Sequence, residues 1–235
     1  MDFLSLLNES NSITNQSTNE ITLNIPIFPE SNEKYVISNP CKITSNCNTI
    51  IKSDNLKIVS SKVSFSNLTF ESSLEISDSV NISITNCTIK TPNTRFGFLI
   101  SHGQQILLDN VEISGSSEFG LYISDDSDVK INGLTIHDLS KSLIIVRRNS
   151  KVKMGKSKLY NSSCNCMNSD NDCDIEISES LFDNSGMPSL YLCYSKCKIV
   201  NCEFQNTQQT LLVIENSPDF LVEKNFFSNA EIAAI

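Results

Sequence analysis

The sequence predicts an all-β parallel solenoid of about nine coils, each of about 23 residues with three short strands. Three observations predict it. First, one pattern (apolar-x-apolar, two residues, then x-x-apolar) recurs eight times, as VSFSNLTF, ISITNCTI, ILLDNVEI, VKINGLTI, VKMGKSKL, IEISESLF, CKIVNCEF and FLVEKNFF. Its central anchors are Phe65, Ile84, Leu108, Ile131, Met154, Ile177, Ile199 and Val222, spaced by 19, 24, 23, 23, 23, 22 and 23 residues. Second, a further apolar anchor follows each one five residues on, from Phe70 to Phe227. A further strand precedes most copies by eight to ten residues: LEIS at Leu74, FLIS at Phe98, LYIS at Leu121, IIVR at Ile144, LYLC at Leu190 and LVIE at Leu212. No apolar stretch has the length or period of a helix. Third, the residue before the last strand of each coil is Asn67, Asn86, Asn110, Gly133, Lys156, Glu179, Asn201 or Lys224. Asn and Gly tolerate a positive φ best, so a sharp corner belongs there.

Strands too short to make a sheet within one coil must pair with the coil above, at about 4.8 Å. Period-2 alternation then turns one row of side chains inward, and the anchors stack into a narrow apolar core. A β-sandwich would show irregular loop lengths, not a fixed register.

Taken in chain order, residues 1–20 read as a cap and loop. Asp-Phe-Leu-Ser-Leu-Leu at 2–7 is a short amphipathic cap, and 8–20 is almost entirely polar. The solenoid occupies 21–235. The copy near Cys166-Met167-Asn168 is degenerate. Adding one repeat to Val222 puts the next central anchor at position 245, beyond Ile235. The expectation is a solenoid open or truncated at its C-terminal end, with an apolar edge that invites end-to-end pairing.

These repeats, over roughly 21–235, resemble the right-handed single-stranded parallel β-helix superfamily, the pectin-lyase-like fold with PbH1-type repeats. The resemblance implies the handedness and the coil geometry. In repeat style the chain is similar to the non-catalytic β-helix modules of eukaryotic adaptors such as F-box and SHC-binding proteins. The superfamily also holds polysaccharide lyases, with clustered carboxylates for Ca²⁺ and an Arg or Lys base, and hydrolases with paired carboxylates.

Composition narrows the classes. Asn, Ser and Thr, at 27, 37 and 13, make up about a third of the chain, and the net charge is -9. Seven glycines exclude collagen, and no apolar run approaches the roughly 20 residues of a membrane helix. An acidic chain without a basic cluster is a poor nucleic-acid binder. The N-terminus lacks a basic leader and a signal-peptide core, so a cytoplasmic location is expected. Nine cysteines, an odd number, then argue for free thiols. Six Asn-x-Ser/Thr sequons match the roughly six expected by chance and carry no sign of glycosylation.

A catalytic constellation is not found. The outward positions of the first strand are Glu75, Leu99, Tyr122, Ile145, Asn168, Tyr191 and Val213. Those of the second are Ser64, Ser83, Leu107, Lys130, Lys153, Glu176, Lys198 and Leu221. Neither column gathers carboxylates. Asp125, Asp126 and Asp128, and Asp170, Asp172 and Asp174, read as solvated turns, with Arg147 and Arg148 placed to pair with Asp125 or Asp170 in neighbouring coils. SDNDCD lacks the Gly and distal Glu of a Ca²⁺ loop. His102 and His137 fall at different corners. The late cysteines lack paired C-x2-C spacing, and Cys87 and Cys202 share a column five coils apart, about 24 Å, too far for a disulfide. No cofactor and no metal is expected.

One feature invites a ligand. Leu99, Tyr122, Ile145, Tyr191 and Val213 form an apolar stripe at positions that a solvated sheet keeps polar. Three readings stand: a loop or the N-terminal segment covers it, a protein partner or second copy docks on it, or sugars stack on Tyr122 and Tyr191. The sequence thus points to a non-catalytic recognition or scaffold module that binds protein through its flat faces, without nucleic acid or membrane. The alternative is a carbohydrate-active or carbohydrate-binding protein; whether the chain is an enzyme is open, leaning against.

Overall fold

The computed structural model describes residues 19–26 and 31–231. The expected cap at 2–7 and most of the polar loop lie outside the described residues, as does the chain beyond 231. The described residues form one continuous parallel sheet wound into a right-handed solenoid of about nine coils, with no helix. None therefore offers a helix long and apolar enough to cross a membrane.

The anchors read from the sequence are the registered columns of the structure. The second-strand column runs Ile43, Phe65, Ile84, Leu108, Ile131, Met154, Ile177, Ile199, Val222. The third runs Ile51, Phe70, Ile89, Ile113, Ile136, Leu159, Phe182, Phe204, Phe227. The first runs Tyr35, Leu56, Leu74, Phe98, Leu121, Ile144, Met167, Leu190, Leu212. The degenerate copy is therefore repaired in space. Met167 is buried between Ile144 and Leu190, although its strand, Met167–Ser169, is only three residues long.

The 19-residue spacing has a local cause. Strand Val63–Ser77 runs through a corner without a loop, so Leu74 follows Phe70 after four residues where the later coils use eight or nine. Buried Ser53 and Ser72 hydrogen-bond at 2.9 Å inside that corner, which satisfies both hydroxyls.

All eight expected corner residues have a positive φ, from 50° at Glu179 to 67° at Gly133. A second bend, at the penultimate residue of the third strand, repeats the device with Asp138, Asn161, Asn184, Asn206 and Asn229. Their amides bond up the stack: Asn161 to Asp138 at 2.9 Å, Asn184 to Asn161 at 2.8 Å and Asn229 to Asn206 at 3.0 Å. Small polar residues fill the inward side of the other corners. The hydroxyls of Ser127, Ser150 and Ser217 each accept from a backbone N–H of the preceding coil. This is how so polar a chain folds: its Ser and Asn satisfy backbone groups at corners that the apolar columns cannot reach.

In the last described coil, large apolar side chains reach the surface. Phe220 and Phe226 are each 60 % exposed, and Leu221 is also exposed.

Candidate functional site

The first face is built by the short strands Phe96–Ser101, Phe119–Ser124, Ile144–Val146, Met167–Ser169, Leu190–Cys193 and Leu212–Glu215. Inward residues alternate with outward ones along each, so the outward ones stack. Register places Glu75, Leu99, Tyr122, Ile145, Asn168, Tyr191 and Val213 in one column, as expected.

That column is not a bare stripe. Ile145 is 4 % exposed, and Leu99, Tyr122, Tyr191 and Val213 are half-buried. Part of the cover comes from the first residues of these strands. Phe96 and Phe119 pair between coils, with ring centroids 5.9 Å apart, and Phe96 lies 4.6 Å from the Tyr122 ring. Arg95 caps Phe96 and Lys141 caps Phe119 as cation–π contacts.

Asn168 is the one amide in the column, between Ile145 and Tyr191. A groove of about 590 Å³ opens there. Its floor is Asn168, Ser169 and Tyr191. One wall is Asn165, Met187, Pro188 and Gln209, and the other is Arg147, Asp170, Asn171 and Tyr194, with Cys193 at the edge. Tyr194, 57 % exposed, sits at a positive-φ corner. The Tyr191 hydroxyl donates to Glu215 Oε2 at 2.7 Å, and that carboxylate pushes the phenol up to about 12, so Tyr191 stays a neutral donor. Of the sequence-predicted residues, the groove takes only Tyr191 from the stripe, with Asn168, Asp170 and Arg147. Met187, Pro188, Tyr194 and Gln209 were not singled out in the sequence, because corner residues have no column to mark them.

The groove can grip a ligand through rings, a thioether and amides. Its single carboxylate, Asp170, is ion-paired with Arg147. Arg148 Nη1 donates to Asp125 Oδ1 at 2.8 Å, so both arginines bond across coils in the pairing the sequence suggested. Asp125 is held down at about 2, first by the Ser124 hydroxyl and then by Arg148.

Elsewhere, His102 stands at a positive-φ corner, whereas His137, expected at a corner, lies within strand Thr135–Leu139 beside the anchor Ile136, so the two do not share a site. His137 lies between Asp138 and Glu112, at 2.7 and 3.2 Å. All nine cysteines are unpaired thiols. Burial pushes Cys41, Cys87, Cys173 and Cys197 up to about 11 and Cys166 up to about 12. Cys87 pairs in register with Val111 as a small apolar residue. Among the described residues, no group of three His, Cys, Asp or Glu is placed to hold a metal ion.

The columns, the corners and the parallel winding define a β-helix. The model of the "right handed beta helix region" matches residues 25–182, and the chain belongs to that family. No curated protein sequence matches it. Three solved structures are similar in fold. ORF18 of Geobacillus virus E2 has TM-score 0.66 at 12 % identity, with 100 % of this chain and 57 % of that chain covered. This chain thus spans little more than half of that viral protein. The A-module of the mannuronan C-5 epimerase AlgE6 of Azotobacter vinelandii has TM-score 0.58 at 8 % identity, with 98 % and 90 % covered. PfbA, a surface adhesin of Streptococcus pneumoniae, has TM-score 0.55 at 12 % identity, with 98 % and 87 % covered. At these identities the likeness concerns the fold alone.

Proposed function

We propose that this chain is a non-catalytic recognition module that binds a protein partner through its first face, anchored in the groove at Asn168, Tyr191 and Tyr194. The observation that carries this reading is the groove itself. It lies on the face whose outward column is apolar, and it puts two tyrosines beside Met187 and four amides. Aromatic rings and Met beside polar donors are the usual composition of protein hot spots. An aliphatic or aromatic side chain of an extended segment fits between Met187 and Tyr191, with Asn168 and Gln209 bonding its backbone. Nine unpaired thiols suit a reducing compartment such as the cytoplasm, and that location is part of the proposal.

The test is site-specific photo-crosslinking. A crosslinker at Asn168 should capture a protein that one at Lys198, on the second face, does not. Purified, that partner should bind Tyr191→Ser or Tyr194→Ser at least about tenfold more weakly. Equal capture from both positions, or unchanged affinity, overturns the reading.

A second reading has its own observation. Tyr194 offers an exposed ring flanked by Asn171, Asp170 and Arg147, a pattern that also suits a sugar. Binding of a neutral oligosaccharide, kept by Tyr194→Phe and lost in Tyr194→Ala, would favour it over a protein partner.

A further inference from the structure

Six of the seven glycines have a structural cause: a positive φ, or an atom within 3.0 Å of where a Cβ would sit. Gly155 has neither. Its φ lies outside the left-handed region, and a Cβ would meet nothing nearer than Ser178 Oγ at 3.4 Å, an ordinary contact. Glycine weakens a strand and marks places where a ligand approaches the backbone. Gly155 ends strand Lys151–Gly155 on the second face, registered between Asn132 and Ser178.

Two adjoining depressions meet at this position. One, of about 460 Å³, includes Lys130, Lys153, Gly155 and Ser178. The other, of about 240 Å³, shares Lys153 and Ser178 and reaches Lys198. Lys130 and Lys153 are register partners on adjacent strands, a like-charge placement that costs free energy when nothing lies between the ammonium groups. Lys153 reaches Glu176 at 2.9 Å, while Lys130 has no ion pair among the described residues. Asp109 also lines the depression, and its Oδ1 accepts from the Asn132 amide at 2.7 Å.

We propose that this groove binds a divalent tetrahedral oxyanion, a phosphate or sulfate group, between Lys130 and Lys153 and beside the Ser178 hydroxyl, in the space Gly155 leaves open. A single carboxylate offers Lys153 no more than Glu176 already does. A dianion can pair with both ammonium groups at once, and Lys198 in the adjoining depression brings the cations to three against the two carboxylates of Glu176 and Asp109. The proposal concerns a different face from the recognition groove and stands apart from that reading.

The test is an amide NMR titration of the 235-residue chain with sodium phosphate, sodium sulfate and O-phosphoserine, against sodium chloride at matched ionic strength. Saturable shifts at Gly155, Ser178 and Lys130 with the oxyanions, absent with chloride, are expected. Lys130→Gln should weaken binding about fivefold or more. Gly155→Val, whose Cβ meets no atom nearer than 3.4 Å, should leave the remaining spectrum intact and abolish the shifts. Saturation by O-phosphoserine supports an esterified ligand, and saturation by phosphate alone supports a free ion. Shifts that follow chloride, or that survive Gly155→Val, overturn the proposal.

Discussion

The His137 imidazole lies face to face with the Tyr160 ring of the next coil, centroids 4.9 Å apart and planes 6° from parallel. Its Nδ1 is 2.7 Å from Asp138 Oδ2 and its Nε2 3.2 Å from Glu112 Oε1, so a protonated ring donates to both. Burial pulls the His137 pKa down, but the bonds to Asp138 and Glu112 more than offset it, and the net shift is above the ordinary 6.5. A raised folded value stabilises below the unfolded one. This contribution is therefore fully present below 6.5 and fades as pH rises through the folded value. Denaturant midpoints should fall across that window, and His137→Gln should flatten the step. An NMR titration of His137 with its midpoint at or below 6.5 would refute the assignment.

Asp125 predicts the opposite dependence. Its carboxylate accepts from Ser124 at 2.6 Å, Arg148 at 2.8 Å and Ser101 at 3.0 Å, which together lower it from 3.8 to about 2. A lowered folded value stabilises above the unfolded one, so this contribution is present above 3.8 and lost as pH falls through about 2. Ser124→Ala and Arg148→Gln should each move the Asp125 carboxyl resonance midpoint back toward 3.8. A midpoint unmoved in both variants would show that neither bond holds the carboxylate.

Corners give a prediction of stability. Lys156 holds φ 53° on an exposed side chain, where a Cβ is unfavourable. Lys156→Gly relieves that strain and should stabilise by about 1 kcal/mol. Gly133 is the mirror case: φ is 67° and the space around a Cβ is open, nearest atoms at 3.7 Å. Gly133→Ala should cost about 1–2 kcal/mol through φ alone. Urea unfolding of the two variants checks both signs.

The same corners show what the sequence makes legible. Register and φ at Asn67 through Lys224 could be read because the anchors fix the position in every coil. The second ladder, Asp138 to Asn229, went unread: it lies at the end of the third strand, and Asn is too frequent in this chain to stand out there. Column membership also placed Tyr191 and Asn168 correctly. It could not show that Phe96 and Phe119 lean over the stripe, or that Met187 and Tyr194 wall a groove. Phe96 and Phe119 start their strands and Met187 and Tyr194 project from corners, so their directions depend on backbone turns that no period encodes.

Cysteine provides a final contrast, because two thiols closed off from solvent have different surroundings. Cys173 occupies the corner column of Ser127, Ser150 and Ser195, and its Sγ sits 3.1 Å from the Asp170 carbonyl. Ser150 and Ser195 make the equivalent bonds to Arg147 and Cys193 carbonyls at 2.8 and 2.9 Å. A serine at 173 inherits an acceptor, so Cys173→Ser should change stability by less than about 0.5 kcal/mol. Cys166 is fully buried, and its nearest acceptors, the Leu159 and Asp183 carbonyls, stand at 3.5 and 3.8 Å, too far for a hydroxyl. Cys166→Ser buries an unpaired O–H and should cost about 1–3 kcal/mol. Thiol reactivity should follow the same geometry. Exposed Cys47 should react first with a disulfide reagent, half-buried Cys193 more slowly, and Cys166, held near 12, only on unfolding. Protection of Cys193, and not of Cys47, by a bound partner would place that partner in the groove. Equal costs for Cys166→Ser and Cys173→Ser would show that the column of hydroxyls does not decide which thiols a serine can replace.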